Sequence, residues 1–114
     1  MNRGDIYLVD LEPTKGTEQR GSRPVVIVSP TRFNLAMKAA VVVPITNGGN
    51  FPSRLGYAVE ITGSATTGRV LCNQIRTLDV MARGGRKLGT LPADCLTEVL
   101  LRVSSLFEED HAPV

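Results

Sequence analysis

The sequence contains no tryptophan, two tyrosines, three phenylalanines, two cysteines and a single histidine. So few rings argue against a surface that holds its ligand by stacking many bases. A structural zinc site takes about four Cys or His ligands, whereas Cys72 and Cys95 form no CxxC pair and His111 lies near the C-terminal end. We therefore expect no metal site. We interpret the two cysteines as buried thiols that pack as small apolar groups.

Long apolar runs and several catalytic motifs are also missing. No stretch of about 18 apolar residues is present, which argues against a membrane-spanning helix. Residues 1–10 lack the apolar segment and cleavage site of a secretory signal, so the cytoplasm is the expected compartment. The GxxxxGK phosphate loop and the GxGxxG fingerprint do not occur, and no cofactor is expected. The GxSxG elbow and the close carboxylate pair of glycosidases are absent as well.

The 114 residues, of which 42% are hydrophobic, suffice for one domain with a buried core, and we assign residues 1–114 to it. The formal net charge of +2 conceals an uneven distribution. Residues 13–87 carry a balance of +8, whereas residues 1–12 carry −2 and residues 88–114 carry −4. Most of the basic residues are arginines, whose planar fork suits bidentate contact with phosphate. This pattern suggests an anionic partner such as a nucleic acid; a scattered, solvated surface is the alternative.

Apolar segments separated by turn residues predict short strands. The predicted strands are Ile6–Leu11, Val25–Val28, Ala39–Ile45, Tyr57–Ile61, Gly68–Cys72 and Lys87–Leu91. The fourth and fifth of these are expected to pair with each other. The polar segment Glu12–Arg23 is expected to form a long loop, and loops of that length are often functional. A short helix is expected to run to Met37, with Ser29–Thr31 supplying a turn and an N-cap.

Helical spacing of apolar residues predicts a C-terminal helix, with Pro92 in its first turn and Asp94 favouring that end electrostatically. The apolar stripe consists of Leu96, Val99, Leu100, Val103, Leu106 and Phe107. We interpret this stripe as core or dimer packing. Together these elements predict a mainly β (α+β) fold, a bent barrel of short strands with short helices and a packed C-terminal amphipathic helix.

Four polar clusters interrupt the predicted strands, at residues 14–23, 46–50, 73–77 and 83–87, and function is expected there. They supply arginine, threonine and a glutamate, which are donors for a phosphate and one proton acceptor. This set is adequate for cleavage of RNA, because the ribose 2′-hydroxyl is a tethered nucleophile that needs orientation, proton transfer and charge stabilisation. That chemistry demands no metal ion.

Several segments then carry specific motifs in a fixed order. They are Arg3–Val9, Glu12–Gly16, Glu18–Gln19, Gly21–Pro30, Val43–Phe51, Leu71–Asp79 and Ala82–Arg83. In these segments, over residues 3–107, the chain resembles the MazF/PemK toxin family of type II toxin–antitoxin systems. The resemblance is specific, because several motifs occur in the family's order and at its spacing. They are GDI, a loop, RP followed by a strand, and then PIT and GGNF. Within the family the chain is most similar to the PemK/Kid and ChpB types.

This resemblance implies a compact SH3-like β-barrel with a C-terminal helix, a homodimer, and sequence-specific endoribonuclease activity. The expected substrate is single-stranded RNA, namely mRNA, whose cleavage would inhibit translation and growth. Neutralisation by a cognate antitoxin is implied as well. Operator DNA is expected as a partner only of the complex with that antitoxin.

The family's catalytic positions are carried over residue by residue. Its loop arginine before proline falls on Arg23, its threonine after the second buried strand on Thr46, and its loop glutamate on Glu18. We expect Arg23 to bind the scissile phosphate and Thr46 to donate its hydroxyl to the same group. Glu18 either accepts the 2′-proton or holds Arg23 in place, and both roles stay open. The resemblance also gives Arg23 a role in proton transfer, although a guanidinium is a poor general base.

The chain departs from the PemK/Kid pattern at three positions. Thr17 stands where those members have histidine, and Leu71 and Asn73 stand where they have arginine and aspartate. The arrangement Leu71-x-Asn73-Gln74 is instead similar to ChpB, which is also of the ribonuclease type.

Polar residues near the catalytic positions are candidates for contacts with RNA. They are Thr17, Gln19, Asn47, Asn73, Gln74, Arg76, Arg83 and Arg86. For each of them, ordinary hydrogen bonding within a loop or turn is the alternative.

Two rival functions remain open from the sequence. One is a toxin without nuclease activity that binds a protein target such as DNA gyrase, because one fold supports different functions. The other is an RNA-binding homologue that has lost cleavage. Arg23, Thr46 and the basic balance of residues 13–87 favour RNA over a protein target.

Overall fold

An antiparallel sheet of seven strands and two helices make up the part of the chain that the computed structural model describes, which is residues 1–12, 21–47, 56–108 and 110. The elements in chain order are β1 (Asp5–Asp10), β2 (Ser22–Ile27), α1 (Thr31–Met37), β3 (Ala40–Thr46), β4 (Ala58–Glu60), β5 (Arg69–Leu71), β6 (Arg76–Leu78), β7 (Arg86–Thr90) and α2 (Ala93–Ser105).

Strand β3 is the centre of the sheet. The strand order is β4-β5-β3-β2-β1-β7, and β6 also pairs with β3. All of these pairings are antiparallel. Val42 of β3 is paired with β2 and β6 at once, so hydrogen-bonded neighbours occupy both edges of the strand. Strand β3 therefore connects the β2-β1-β7 part of the sheet with β6 and with the β5-β4 part.

Strands β2 and β3 bury both faces, because their side chains alternate between two cores. The helix-side core, which α2 covers, consists of Ile6, Val26, Val28, Val43, Ile45, Val59, Ile61, Val70, Cys72, Leu91, Cys95 and Val99. The far-side core consists of Val9, Leu11, Val25, Ile27, Ala40, Val42, Leu78 and Val80. Each fully buried Val, Leu or Ile contributes about 1.5–3 kcal/mol of apolar transfer free energy. The two cores together fix the register of the central strands, since a slip of one residue would exchange their faces.

The predicted mainly β fold with a short helix and a C-terminal helix is confirmed. The predicted strands match β1–β5 and β7 within a few residues, and β4 and β5 pair as expected. Cys72 and Cys95 are free and buried, as predicted. Closure of the sheet into an SH3-like barrel stays a prediction. No helix among the described residues is long and apolar enough to cross a membrane.

Several expectations need correction. Strand β2 begins at Ser22, so Arg23 lies in a strand and not in the loop, because it pairs with Val9 of β1. The mixed segment before Gly84 contains a further strand, β6. Pro92 is the N-cap residue of α2 and not part of its first turn. Phe107 lies beyond the end of α2 and is 74% exposed, so it belongs neither to the helix nor to the core, and its packing in a dimer stays a prediction.

Helix α1 has no side-chain cap, contrary to the expectation for the segment before it. The Ser29 hydroxyl, which is buried, instead accepts a hydrogen bond from the Val41 amide at 2.9 Å and donates one to the Asn34 side chain. Asn34 in turn donates to the Met1 carbonyl at 2.8 Å. These bonds tie α1 to the start of β3 and to the N-terminus.

We expect Gly68→Ala to destabilise the protein by about 3 kcal/mol in denaturant unfolding. Gly68 has φ of +123°, and a Cβ there would lie 2.5 Å from the Thr46 carbonyl oxygen. Gly84 is the matched control, because it has φ of +67° and open space at the Cβ position. Gly84→Ala is expected to cost only about 1 kcal/mol. Equal losses in the two variants would contradict the close contact at Thr46.

Candidate functional site

Arg23 and Thr46 come from the neighbouring strands β2 and β3. The ladder between β2 and β3 ends at Val25 opposite Pro44, and extension of the same register by two residues puts Arg23 at the level of Thr46. Opposite residues of an antiparallel pair share one face of the sheet, with Cβ atoms about 4.5–5.5 Å apart. Both residues follow the alternation of Val25 and Val42 and therefore lie on the far-side face. Their side chains start from adjacent positions on that face.

Thr46 is held firmly at the end of β3. Only 7% of its surface is exposed. On its main-chain side, Gly68 approaches so closely that no side chain fits between them. The adjacent Asn47 is exposed, and its side-chain oxygen accepts a hydrogen bond from the Thr67 hydroxyl at 3.2 Å. The Thr46 hydroxyl therefore sits at a fixed point of the sheet.

The other edge of β3 places an arginine opposite Thr46. Arg69 of β5 is the direct partner of Thr46, and Glu60 of β4 is the direct partner of Arg69. Continuing across the sheet, the row runs Glu60, Arg69, Thr46, Arg23, and we call these four residues the Thr46 row. Arg23, Arg69 and Glu60 are exposed, whereas Thr46 is buried. The sequence does not single out Arg69 or Glu60, because only the pairing of β5 with β3 brings them to Thr46.

A groove lies beside the Thr46 row. Its volume is about 230 Å³. It is lined by Leu11, Val25, Val42, Pro44, Asn73, Gln74, Ile75 and Arg76. The paired residues Val25 and Pro44 belong to its wall, and Arg23 and Thr46 follow them by two positions on the same face. The groove thus combines an apolar wall with amide and guanidinium groups next to the Arg23–Thr46 pair.

Two arginines bind the main chain at the end of β1. The Nη1 atom of Arg83 donates to the carbonyls of Asp10 and Glu12 at 3.0 and 2.8 Å. The Nη1 atom of Arg76 donates to the Leu11 carbonyl at 3.1 Å. The carbonyls of residues 10, 11 and 12 therefore all accept hydrogen bonds from guanidinium groups. Hydrogen bonds from a charged donor are stronger than those between neutral groups.

Residues 11 and 12, which follow β1, are also hydrogen-bonded to Gly21, the residue before β2. The Leu11 amide donates to the Gly21 carbonyl at 3.0 Å, and the Gly21 amide donates to the Glu12 side chain at 3.0 Å. Gly21 immediately precedes β2, which carries Arg23. Arg76 and Arg83 therefore stabilise the main chain of residues 10–12, to which the start of β2 is hydrogen-bonded.

The remaining predicted RNA contacts are distributed unequally. Asn73 is exposed and Gln74 is half-buried, and both line the groove. Arg86 pairs with Leu8, which pairs with Pro24, so alternation places Arg86 on the other face of the sheet from Arg23. The predicted residues Glu18, Thr17 and Gln19 lie outside the described residues, as do residues 48–50 of the predicted turn and His111.

The described residues limit other chemistries. In residues 1–12, 21–47, 56–108 and 110, no three His, Cys, Asp or Glu side chains are grouped so that they could hold a metal ion. Burial raises the pKa of the Cys72 thiol to about 11, while Arg102 lowers it by a smaller amount. At neutral pH this thiol is therefore protonated and a poor nucleophile. The groups that remain are cations, a hydroxyl and amides around an apolar groove.

Comparison with known proteins shows matches over nearly the whole chain. Residues 2–107 match the family model described as PemK-like, MazF-like toxin of type II toxin–antitoxin system. The endoribonuclease PemK of Escherichia coli is 50% identical over 108 residues, which is 93% of this chain and 81% of the relative.

Solved structures show the same fold. A crystal structure of MazF from Deinococcus radiodurans has a TM-score of 0.84 at 28% identity, covering 94% of this chain and 96% of that one. A MazE–MazF structure from the same organism has a TM-score of 0.78 at 26% identity, covering 94% and 95%. The sheet and helices described above are therefore those of MazF.

Proposed function

Because this chain belongs to the PemK-like, MazF-like family of type II toxins, it is an endoribonuclease toxin, and we propose that it cleaves single-stranded RNA without a metal ion, between Arg23 and Thr46. The observation that carries this proposal is the register of β2 and β3, which brings Arg23 to the level of Thr46 beside the groove. A cation and a hydroxyl at that spacing suit the two non-bridging oxygens of one phosphodiester.

The reaction starts with attack of the ribose 2′-oxygen on the adjacent phosphorus. The bond between phosphorus and the 5′-oxygen of the next nucleotide breaks, this oxygen takes up a proton from water, and a 2′,3′-cyclic phosphate remains. Arg23 stabilises the negative charge that grows on the non-bridging oxygens, and the Thr46 hydroxyl donates to the same group. Because Thr46 is buried and fixed, its donor is already oriented before the substrate arrives.

For the 2′-proton, the loop acid Glu18 is the candidate acceptor in this proposal. Glu18 accepts the 2′-proton or holds Arg23, as the sequence suggests. Among described residues, Glu60 is the acidic member of the Thr46 row, two strands away from Thr46. A guanidinium stays protonated and is a poor base but a good hydrogen-bond donor to phosphate, so Arg23 is assigned to binding the phosphate.

The groove receives a base next to the scissile phosphate. Its apolar wall, formed in part by Val25 and Pro44, takes the flat face of an unstacked base. The side-chain amides of Asn73 and Gln74 supply donors and acceptors for the base edge. This combination supports sequence-dependent cleavage of single strands, including mRNA, and it accounts for inhibition of translation and growth.

Arg76 and Arg83 act differently in this proposal. Each of them donates hydrogen bonds from Nη1 to main-chain carbonyls of residues 10–12. Their first role is therefore to stabilise the chain at the end of β1. Arg86 lies on the other face of the sheet and contributes through long-range attraction of RNA.

A cognate antitoxin and a second copy of the chain are the proposed partners. The MazE–MazF structure motivates the antitoxin. Operator DNA is proposed as a partner only of the toxin–antitoxin complex. Exposed apolar side chains on and next to the helices motivate the dimer: Leu35, Met37, Leu101 and Phe107 are each at least 60% exposed. RNA, antitoxin and toxin meet in the cytoplasm. The protein-directed alternative has no comparable support, because the site suits a phosphodiester.

We expect purified protein to cut single-stranded RNA in the presence of EDTA and to leave 2′,3′-cyclic phosphate ends or their hydrolysis products. The reason is that the nucleophile is internal to the RNA and the charge is stabilised by Arg23. Gel analysis and mass spectrometry of the fragment ends provide the measurement. RNA that stays intact in EDTA and is cut only after magnesium is added would refute the metal-free mechanism.

Arg23→Ala is expected to lose about 2–4 kcal/mol of transition-state stabilisation, the scale of losing one preorganised donor. Thr46→Val, which keeps the shape but removes the hydroxyl, is expected to lose a similar amount. Cleavage rates under single-turnover conditions measure both. Arg32→Ala is the control, because α1 joins the end of β2 to the start of β3 and so lies at the opposite end of that hairpin. If the folded Arg23→Ala variant cleaves RNA at the wild-type rate, Arg23 does not take part in catalysis.

Sedimentation at micromolar concentration is expected to show a dimer of the 12.3 kDa chain. Burial of the exposed apolar side chains of α1 and α2 would stabilise it. A Leu101→Glu variant is expected to shift the equilibrium toward the monomer. A wild-type chain that sediments only as a monomer would overturn this expectation.

A further inference from the structure

The Thr46 row contains a second arginine for which the predicted site has no role. Arg69 is the direct cross-strand partner of Thr46 on the β5 side, whereas Arg23 lies on the β2 side. Neighbouring strands are about 4.8 Å apart. The two arginine side chains therefore start from the two sides of the Thr46 hydroxyl, about 10 Å from each other. An arginine side chain is long enough to span half of that distance.

Arg69 is available to a ligand. Its side chain is exposed. Glu60 lies opposite it in β4, yet in the described part of the chain the ion pairs join Lys87 to Asp5 and Arg102 to Glu98 and leave Arg69 out. Arg76 and Arg83, in contrast, already bind main-chain carbonyls. Among the described residues, no hydrogen bond or ion pair occupies the Arg69 guanidinium, so it has both the position and the donors that a phosphate requires.

The backbone around Arg69 fixes this position. Val70, the next residue, is fully buried in the helix-side core and pairs with Ile45. Gly68, the preceding residue, packs against the Thr46 carbonyl. Because alternation turns Val70 into the core, Arg69 must project from the face that carries Thr46.

We propose that Arg69 is a further catalytic residue, which binds the scissile phosphate from the side of Thr46 opposite to Arg23. This inference rests on the proposed function, since it assigns Arg69 to the same phosphodiester. Two arginine forks facing across one hydroxyl can each take one non-bridging oxygen, so the charge that develops there is shared. Each oxygen then depends on a different arginine.

Phosphorothioate substrates test this assignment. An RNA oligonucleotide spanning a mapped cleavage site carries sulfur in place of one non-bridging oxygen, in either the Rp or the Sp form. Sulfur accepts hydrogen bonds poorly, so in wild type both forms are expected to be cut more slowly. In Arg69→Met, cleavage of all-oxygen RNA is expected to fall about 10–100-fold. The additional loss caused by sulfur should disappear for one diastereomer and persist for the other.

Two variants serve as controls. Arg32→Met removes the same charge from α1 and is expected to cleave all substrates as wild type does. Arg69→Lys keeps a cation and is expected to restore part of the rate and part of the diastereomer-specific sulfur effect. Wild-type rates in Arg69→Met would overturn the proposal. Equal slowing of all-oxygen, Rp and Sp substrates would also overturn it, because that pattern indicates an indirect effect.

A binding measurement separates failure of this proposal from failure of the proposed function. RNA with a 2′-deoxy nucleotide at the cleaved position cannot react but can still bind. If Arg69 binds a phosphate, the slope of log K against log[salt] should decrease in magnitude by about 0.7 in Arg69→Met. An unchanged slope would refute the contact even in a protein that cuts RNA. A wild-type protein that binds but does not cut would refute the proposed function and leave the Arg69 contact measurable.

Discussion

The site depends on one constraint, the hydrogen bonding of β3 along both of its edges. Thr46 ends this strand, with β2 on one side and β5 on the other. Antiparallel pairing puts opposite residues on the same face, so each neighbouring strand brings one arginine toward the threonine. The ladder with β5 pairs Arg69 with Thr46 directly, and the ladder with β2 ends at Val25 and Pro44, two residues before Arg23 and Thr46. The two cores hold the ladders in register by burying alternate residues of β2 and β3.

Charge in this protein has two distinct uses. Arg76 and Arg83 spend hydrogen bonds on the carbonyls of residues 10–12 and so stabilise the chain where it leaves β1. Arg23 and Arg69 are exposed residues of the two strands that flank β3, and the proposed site uses their charge for a phosphate. An abundance of arginine in the sequence is therefore not a measure of how many contact RNA. The position of each residue in the ladder separates the arginines that bind the main chain at the end of β1 from those that the proposed site assigns to a phosphate.

Much of the fold follows from local patterns. The valine-rich segments predicted β2 and β3, and the helical spacing after Pro92 predicted α2. The same patterns placed Arg23 in a loop, because Pro24 looked like the start of a strand, whereas pairing with β1 extends β2 to Ser22. Arg69 was missed for a different reason. Its strand was predicted, but which strands become neighbours is decided by long-range packing, and no spacing along the chain encodes the pairing of Arg69 with Thr46.

The burial of β3 on both faces has a dynamic consequence. Strands that bury two faces and are hydrogen-bonded on two edges belong to the segments of a protein that open last. We therefore expect β3, which ends at Thr46, to exchange its amide protons slowly, whereas Arg23 and Arg69 are exposed residues of neighbouring strands. Fluctuations that admit or release a long RNA can therefore occur around an immobile hydroxyl. In the proposed site, the threonine is therefore expected to move less than the two arginines assigned to the phosphate.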